Sequence, residues 1–365
     1  MGKNCIVCTT PYQIIAAVSI AYLEKSIFDL VIVPQFSNAE LYAKSICEKK
    51  IFDRVIISNF DEINKYKNRK SKVSVELGIL EQYLSLNNTI PFYFGDCNYS
   101  RVYISSQAIV GRLISLYYFK RGAEIVYFDD GEGSYDKESI YEAKGFDRVI
   151  RSVLFGKQSI GFSKSRQLYC PELFELTFGK EYQVSKIPNW SQNKELLAYF
   201  NNIFQFSDQA LINEKYVLID TIPHESFDDE GKDIYLSLRD NCIETLGNNM
   251  IIKKHPRDNS NIRSECAIYQ YNSIPFELIC ANSDIENKVL ITSSSSAVFM
   301  PKLLFDSEPV VILLHHITGL KQGNNIKREK MIQYLQNLYR ENSRFLIPKS
   351  IDEFEDLLKV LTREH

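Results

Sequence analysis

The chain has no run of about 18 apolar residues, so nothing in it is built to span a membrane. It holds only five histidines among 365 residues, with no His-x-x-His spacing and no clustered carboxylate-histidine pattern, which argues against a metal site. Its eight cysteines, at 5, 8, 47, 97, 170, 242, 266 and 280, sit mostly within apolar runs. Cys5 and Cys8 have the two-residue gap of a redox or zinc motif, yet they fall in a strand pattern and no second pair follows, so buried thiols are expected. A formal charge of -3 argues against a broad basic face for nucleic acid and leaves room only for a local basic patch. Internal repeats and low-complexity tracts are absent. Met1-Gly2-Lys3-Asn4-Cys5-Ile6 runs straight into a strand pattern rather than a signal peptide, and Ile6 breaks the myristoylation pattern, so a cytoplasmic protein is expected.

What is present is the composition of a globular protein, 45% apolar and 24% charged, in a length that fits two domains. Short apolar runs of β type alternate with segments of helical period, the signature of parallel sheets covered by helices. One series has strands at 4–9, 29–33, 54–57, 101–105 and 124–128, with the clearest helices at 11–25 and 107–120. A second has strands at 216–219, 249–252, 266–269, 288–291 and 309–313. A less regular stretch, 156–212, separates them and holds the only tryptophan. The linker is expected near Trp190, giving domains 1–190 and 191–365. The fold class is α/β, two doubly wound Rossmann-like domains facing across a cleft, with ligands outside the carboxyl ends of the strands.

Every turn of interest follows a strand. Thr292-Ser293-Ser294-Ser295-Ser296 lies between an apolar run and Ala297-Val298-Phe299, so it reads as strand, hydroxyl-rich turn and helix start, a place for phosphate. Lys253-Lys254-His255-Pro256-Arg257 could turn an imidazole and three cations toward one anion. Glu277 lies about one strand-and-helix unit from each, where a carboxylate suits two ribose hydroxyls. Asp129-Asp130-Gly131 makes a tight turn presenting carboxylates at the first sheet's edge. Thr9-Thr10-Pro11-Tyr12-Gln13 opens a helix with proline in its first turn, placing Thr10 and Gln13 at the same edge. The segment from Asp220 through Asp228 and Asp229 to Glu230 either complements a helix dipole or supplies a general base.

Taken together, Cys8-Thr9-Thr10-Pro11-Tyr12-Gln13, Phe128-Asp129-Asp130-Gly131, His255-Pro256-Arg257 and the serines 293–296 resemble bacterial sialyltransferases, most of all glycosyltransferase family 52. The resemblance implies a GT-B fold, with acceptor bound by the first domain and CMP-sialic acid by the second. It implies metal-independent inverting transfer, without a cofactor, to a galactose-terminated lipooligosaccharide or capsular acceptor, with an α-2,3 linkage. On it, His255 stabilises the departing phosphate, Pro256 borders the cytosine, Arg257 adds a cation and Glu277 holds the ribose. Ser294, Ser295 and Ser296 bind phosphate, while Thr10, Gln13, Asp130 and Gly131 meet the acceptor. Asp229 is the expected base, then Asp228, with Asp130 as the rival. Peripheral contact with the inner face of a bacterial membrane through a lipid-linked acceptor, and a homodimer, accord with the same resemblance.

Other readings share the architecture. A polysialyltransferase or a CMP-Kdo transferase keeps the donor base and changes the sugar or the acceptor. A UDP-sugar 2-epimerase also uses two doubly wound domains and calls for UDP instead of CMP. A non-catalytic sugar-nucleotide sensor binds and releases no product.

Overall fold

The computed structural model describes residues 2–59, 71–105, 109–131, 133–135, 143–160, 165–255, 258, 262, 267–319 and 325–363. Strands β1 (Asn4–Cys8), β2 (Phe28–Ile32), β3 (Arg54–Ile57), β4 (Arg101–Ile104), β5 (Glu124–Phe128), β6 (Ser165–Leu168) and β7 (Gln183–Lys186) pair in the order 3-2-1-4-5-6-7. All six pairings are parallel. Every residue of β1 and β2 is buried, as expected of central strands covered on both faces by helices. The helix Pro11–Glu24 begins with proline in its first turn and with the Thr10 hydroxyl accepting from Gln13 N. It ends where Lys25 turns left-handed.

The second sheet contains β8 (Tyr216–Ile219), β9 (Met250–Lys253), β10 (Ala267–Ile268), β11 (Val289–Thr292), β12 (Val310–Leu313) and β13 (Phe345–Leu346), in the order 10-9-8-11-12-13 and again all parallel. In each sheet the strand order reverses beside the first strand in sequence, between β1 and β4 and between β8 and β11. These are two Rossmann-like units, as the alternation of strands and helices predicts.

The chain divides into compact units Met1–Ile203 and Phe204–His365, later than the boundary expected at 190. Trp190 explains the difference. It is buried and packs edge-on to Phe200 with ring centroids 5.0 Å apart. The helix Lys194–Ile203 that carries Phe200 is itself fixed to the first unit, where Tyr199 Oη donates to the Ile46 carbonyl over 3.1 Å. Trp190 is thus core of the first unit rather than a linker residue. Among the described residues no helix is long and apolar enough to cross a membrane.

Candidate functional site

At the carboxyl edge of the first sheet, two adjacent carboxylates take opposite roles. Asp129, buried at the end of β5, accepts from Tyr12 Oη (3.0 Å), Gly131 N (2.8 Å), Tyr169 N (3.0 Å) and the Tyr135 hydroxyl. Burial raises its carboxyl, and these four donors oppose the rise. Both its oxygens are engaged, so Asp129 clasps the turn. Gly131 completes that turn at φ +81°, a backbone conformation that side chains disfavour.

Asp130 is half-buried and differently placed. Its Oδ1 accepts from Gln13 Nε2 over 2.5 Å, and its own backbone N donates to Ser134 Oγ over 2.7 Å. Burial pushes its carboxyl up to about 6; the Gln13 hydrogen bond pulls down against this, and the charge of Asp129 adds to the rise. Gln13 is buried and held from the other side, since its Oε1 accepts from Thr9 N (2.5 Å) and Thr9 Oγ1 (3.1 Å). The structure therefore brings Gln13, Asp130 and Gly131 together, while the Thr10 side chain caps the helix over 3.3 Å. A carboxyl that titrates near 6 is suited to taking and returning protons at neutral pH.

The second sheet repeats the plan after β8. Asp220 is buried, accepts from Thr221 N (2.9 Å) and the Tyr235 hydroxyl, and has Arg239 Nη1 at 3.7 Å. Burial raises its carboxyl against those partners. The next residue, Thr221, meets the serine run: Ser294 Oγ donates to Thr221 Oγ1 (2.7 Å) and Ser226 Oγ (3.3 Å), and those two hydroxyls lie 2.8 Å apart. This ring of three hydroxyls sits at the β8/β11 reversal of strand order.

The other serines serve the chain's own turn. Thr292 Oγ1 accepts from Ser295 N (3.1 Å), and Ser295 Oγ from Ala297 N (3.3 Å), capping a 3₁₀ turn, Ser296–Phe299, that leads into the helix Met300–Phe305. Ser293 is buried, its hydroxyl 2.5 Å from Thr318 Oγ1.

His255 follows β9 and is half-buried; Pro256 and Arg257 lie outside the described residues. At the end of β9, burial pulls the Lys253 ammonium down to about 8, and nearby Glu277 acts in the opposite direction. Glu277 itself is buried in the first turn of the helix Phe276–Asn282.

Asp228 and Asp229, the expected bases, are both exposed. Asp228 is the N-cap of the helix Asp229–Leu246, accepting from Gly231 N over 2.9 Å, and Asp229 is its first residue. Thr221 and Ser226 were not singled out from sequence; a hydroxyl two residues past a strand end is the available signal for Thr221, and Ser226, at the end of the helix Pro223–Ser226, carries none.

A cluster of His315, His316 and Glu329 also forms in the second unit. The sequence gives no spacing pattern for it.

No protein-family model and no curated protein matches the sequence. Solved structures do match in fold. The chain is similar to S. aureus MnaA in complex with UDP, at 13% identity over 100% of this chain and 96% of that one, TM-score 0.50. It is also similar to Methanocaldococcus jannaschii UDP-GlcNAc 2-epimerase in complex with UDP-GlcNAc and UDP, at 13% identity over 99% of both chains, TM-score 0.48. E. coli heptosyltransferase WaaC with ADP is matched at 10% identity over 99% of both chains, TM-score 0.39.

With no family model and no curated protein matched, and a fold neighbour at TM-score 0.50 that was solved with UDP, the expected membership of sialyltransferase family 52, CMP-sialic acid as donor and a CMP-dependent transferase are not upheld. The physical reason is in the motifs. An acidic clasp after β5 and hydroxyl caps after β11 meet structural needs of strand ends, so they recur without a shared donor. The chain has the two-unit GT-B fold, and a fold by itself does not fix a reaction.

Proposed function

We propose that this chain is a UDP-sugar enzyme, a UDP-N-acetylhexosamine 2-epimerase, in which Asp130 is a proton-transfer group. The observation that carries the reading is the Asp130 carboxyl, pushed up to about 6 while Asp129 beside it is engaged by four donors. Inversion at C2 of a UDP-sugar can balance as an elimination and its reversal. The C2 proton leaves to a base while the C–H pair forms a C1–C2 double bond and the C1–O bond to UDP breaks; as the C1–O bond re-forms, the other face of C2 takes a proton. A group that titrates near the working pH can accept or donate it, commonly with a contribution of about 100-fold to 10,000-fold in rate. The uridine diphosphate half of the reading is supported by a fold held in common, over nearly the whole of both chains, with a structure solved with UDP. In the second unit the hydroxyls of Thr221, Ser226 and Ser294, at a reversal of strand order, are donors of the kind that suit phosphate oxygens.

The test is incubation with UDP-GlcNAc in deuterated water, followed by NMR, beside the Asp130→Asn protein. The expected result is deuterium at C2 and a second UDP-sugar with inverted C2, both lost in the variant. Failure to bind UDP by calorimetry would overturn the reading. UDP binding without exchange at C2 would instead favour a UDP-sugar transferase, with Asp130 deprotonating an acceptor hydroxyl.

A further inference from the structure

We infer that His315, His316 and Glu329 form a binding site for a divalent transition-metal ion of the zinc or cobalt kind. Among the described residues they are the one group of three or more His, Cys, Asp and Glu side chains whose ligand atoms all lie within 4.8 Å of one another. His315 and His316 open the one-turn helix His315–Thr318, just after β12, and Glu329 belongs to the helix Asn325–Leu338. Glu329 Oε1 lies 3.1 Å from His315 Nε2 and 2.9 Å from His316 Nε2.

Adjacent residues on a helix point in different directions and do not ordinarily meet at one atom. Here both rings turn inward, with centroids 4.3 Å apart and planes at 71°, so that two imidazole nitrogens meet one carboxylate oxygen. Tetrahedral bonds of about 2.0–2.1 Å to zinc set neighbouring ligand atoms roughly 3.3 Å apart. The observed separations fall short of that by only a few tenths of an ångström. Two imidazoles and a carboxylate favour zinc, cobalt, nickel or copper over magnesium or calcium. For both rings to donate to one oxygen, each must carry its proton on Nε2; a bound ion takes the place of those two protons.

The scaffold holds one side and leaves the other accessible. The His315 side chain is 1% exposed, while His316 and Glu329 are each 37% exposed, which gives an ion a path and leaves a fourth coordination position for solvent. Thr318, one turn on, is fixed through its hydroxyl to Ser293 and the Leu314 carbonyl. Its own carbonyl packs against Gly231 so closely that a β-carbon there would overlap it.

Titration of chelator-stripped, tag-free protein with cobalt(II) chloride, followed by visible absorption, tests the inference. One equivalent should bind with the intense bands of tetrahedral cobalt and be displaced by zinc. His316→Ala and Glu329→Gln, both at partly exposed side chains, should each weaken binding by at least about tenfold. Circular dichroism of the two variants checks that they fold. Absence of the bands in wild type, or unchanged affinity in both folded variants, would overturn the site; neither result depends on which sugar nucleotide the protein takes.

Discussion

Gln13 Nε2 donates to Asp130 Oδ1 over 2.5 Å, so the helix that opens after β1 holds the carboxylate that follows β5. The contact stabilises the ionised form of Asp130, because an amide donor favours negative charge on the oxygen it meets. Gln13→Met should therefore raise the Asp130 pKa above its present value near 6. If ionised Asp130 is the working form, the acid limb of kcat/KM moves to higher pH in this variant. A pH-rate profile reads this directly; a lowered plateau with no shift of the limb would mean that Gln13 only scaffolds the Thr9 turn.

Asp130 itself couples activity to stability. Its folded pKa, about 6, lies above the ordinary 3.8, so between those values the folded protein holds a proton that the unfolded chain has lost. Stability contributed by this group is thus present at the acid end and falls as pH rises through the window, by on the order of 3 kcal/mol once both states are ionised. Asp130→Asn removes the charge and keeps an oxygen for Gln13. The variant should melt several degrees above wild type at pH 8 and close to it at pH 4, while kcat/KM drops by about 100-fold or more. Thermal melts across that range check the sign, and a variant no more stable at pH 8 would refute the assignment.

The exposed acids of the second unit should behave otherwise. Asp228→Ala loses the cap on Gly231 N and should cost about 1 kcal/mol, lowering Tm by roughly 2–4 °C. Activity at a temperature well below the melt should stay near wild type, and Asp229→Ala should change neither quantity appreciably. A large fall in kcat for either variant at unchanged Tm would return the search for a base to this helix start.

Much of the fold was legible because central parallel strands announce themselves as short, wholly apolar runs. Ile6, Leu30, Leu218 and Ile291 all lie where the sequence puts a strand. Strands β6 and β7 were not legible, since Ser165–Leu168 and Gln183–Lys186 are polar and lie at one side of their sheet. In β6 even a buried position is arginine: the Arg166 guanidinium lies 4.8 Å from the ring centres of both Tyr127 and Phe174, contacts that no local pattern encodes. The candidate site divides in the same way. Turn chemistry marked Asp129-Asp130-Gly131, but the split between a clasp and a titrating group depends on Tyr12, Tyr135 and Tyr169, which arrive from three other segments. Glu329 likewise meets the two histidines across 14 and 13 positions of sequence, a contact that no local pattern encodes.

The hydroxyls of Thr221, Ser226 and Ser294 form a closed ring of three contacts, 2.7, 2.8 and 3.3 Å. Each hydroxyl has a single proton, so a phosphate oxygen that enters the ring takes over one of these contacts and exchanges a neutral hydrogen bond for a charge-assisted one. Ser294→Ala removes the hydroxyl common to the two contacts from the serine run and leaves Thr221 and Ser226 paired. A hydrogen bond to a charged group is worth about 1.5–3 kcal/mol, so UDP affinity should fall by roughly 10-fold to 150-fold. If the ring grips only the part of the substrate that does not react, KM rises by that factor and kcat holds. Calorimetry with UDP and steady-state kinetics with UDP-GlcNAc separate the outcomes. Unchanged UDP affinity would leave the ring a structural tie between β8 and β11, and would move the phosphate site to the turn after β9.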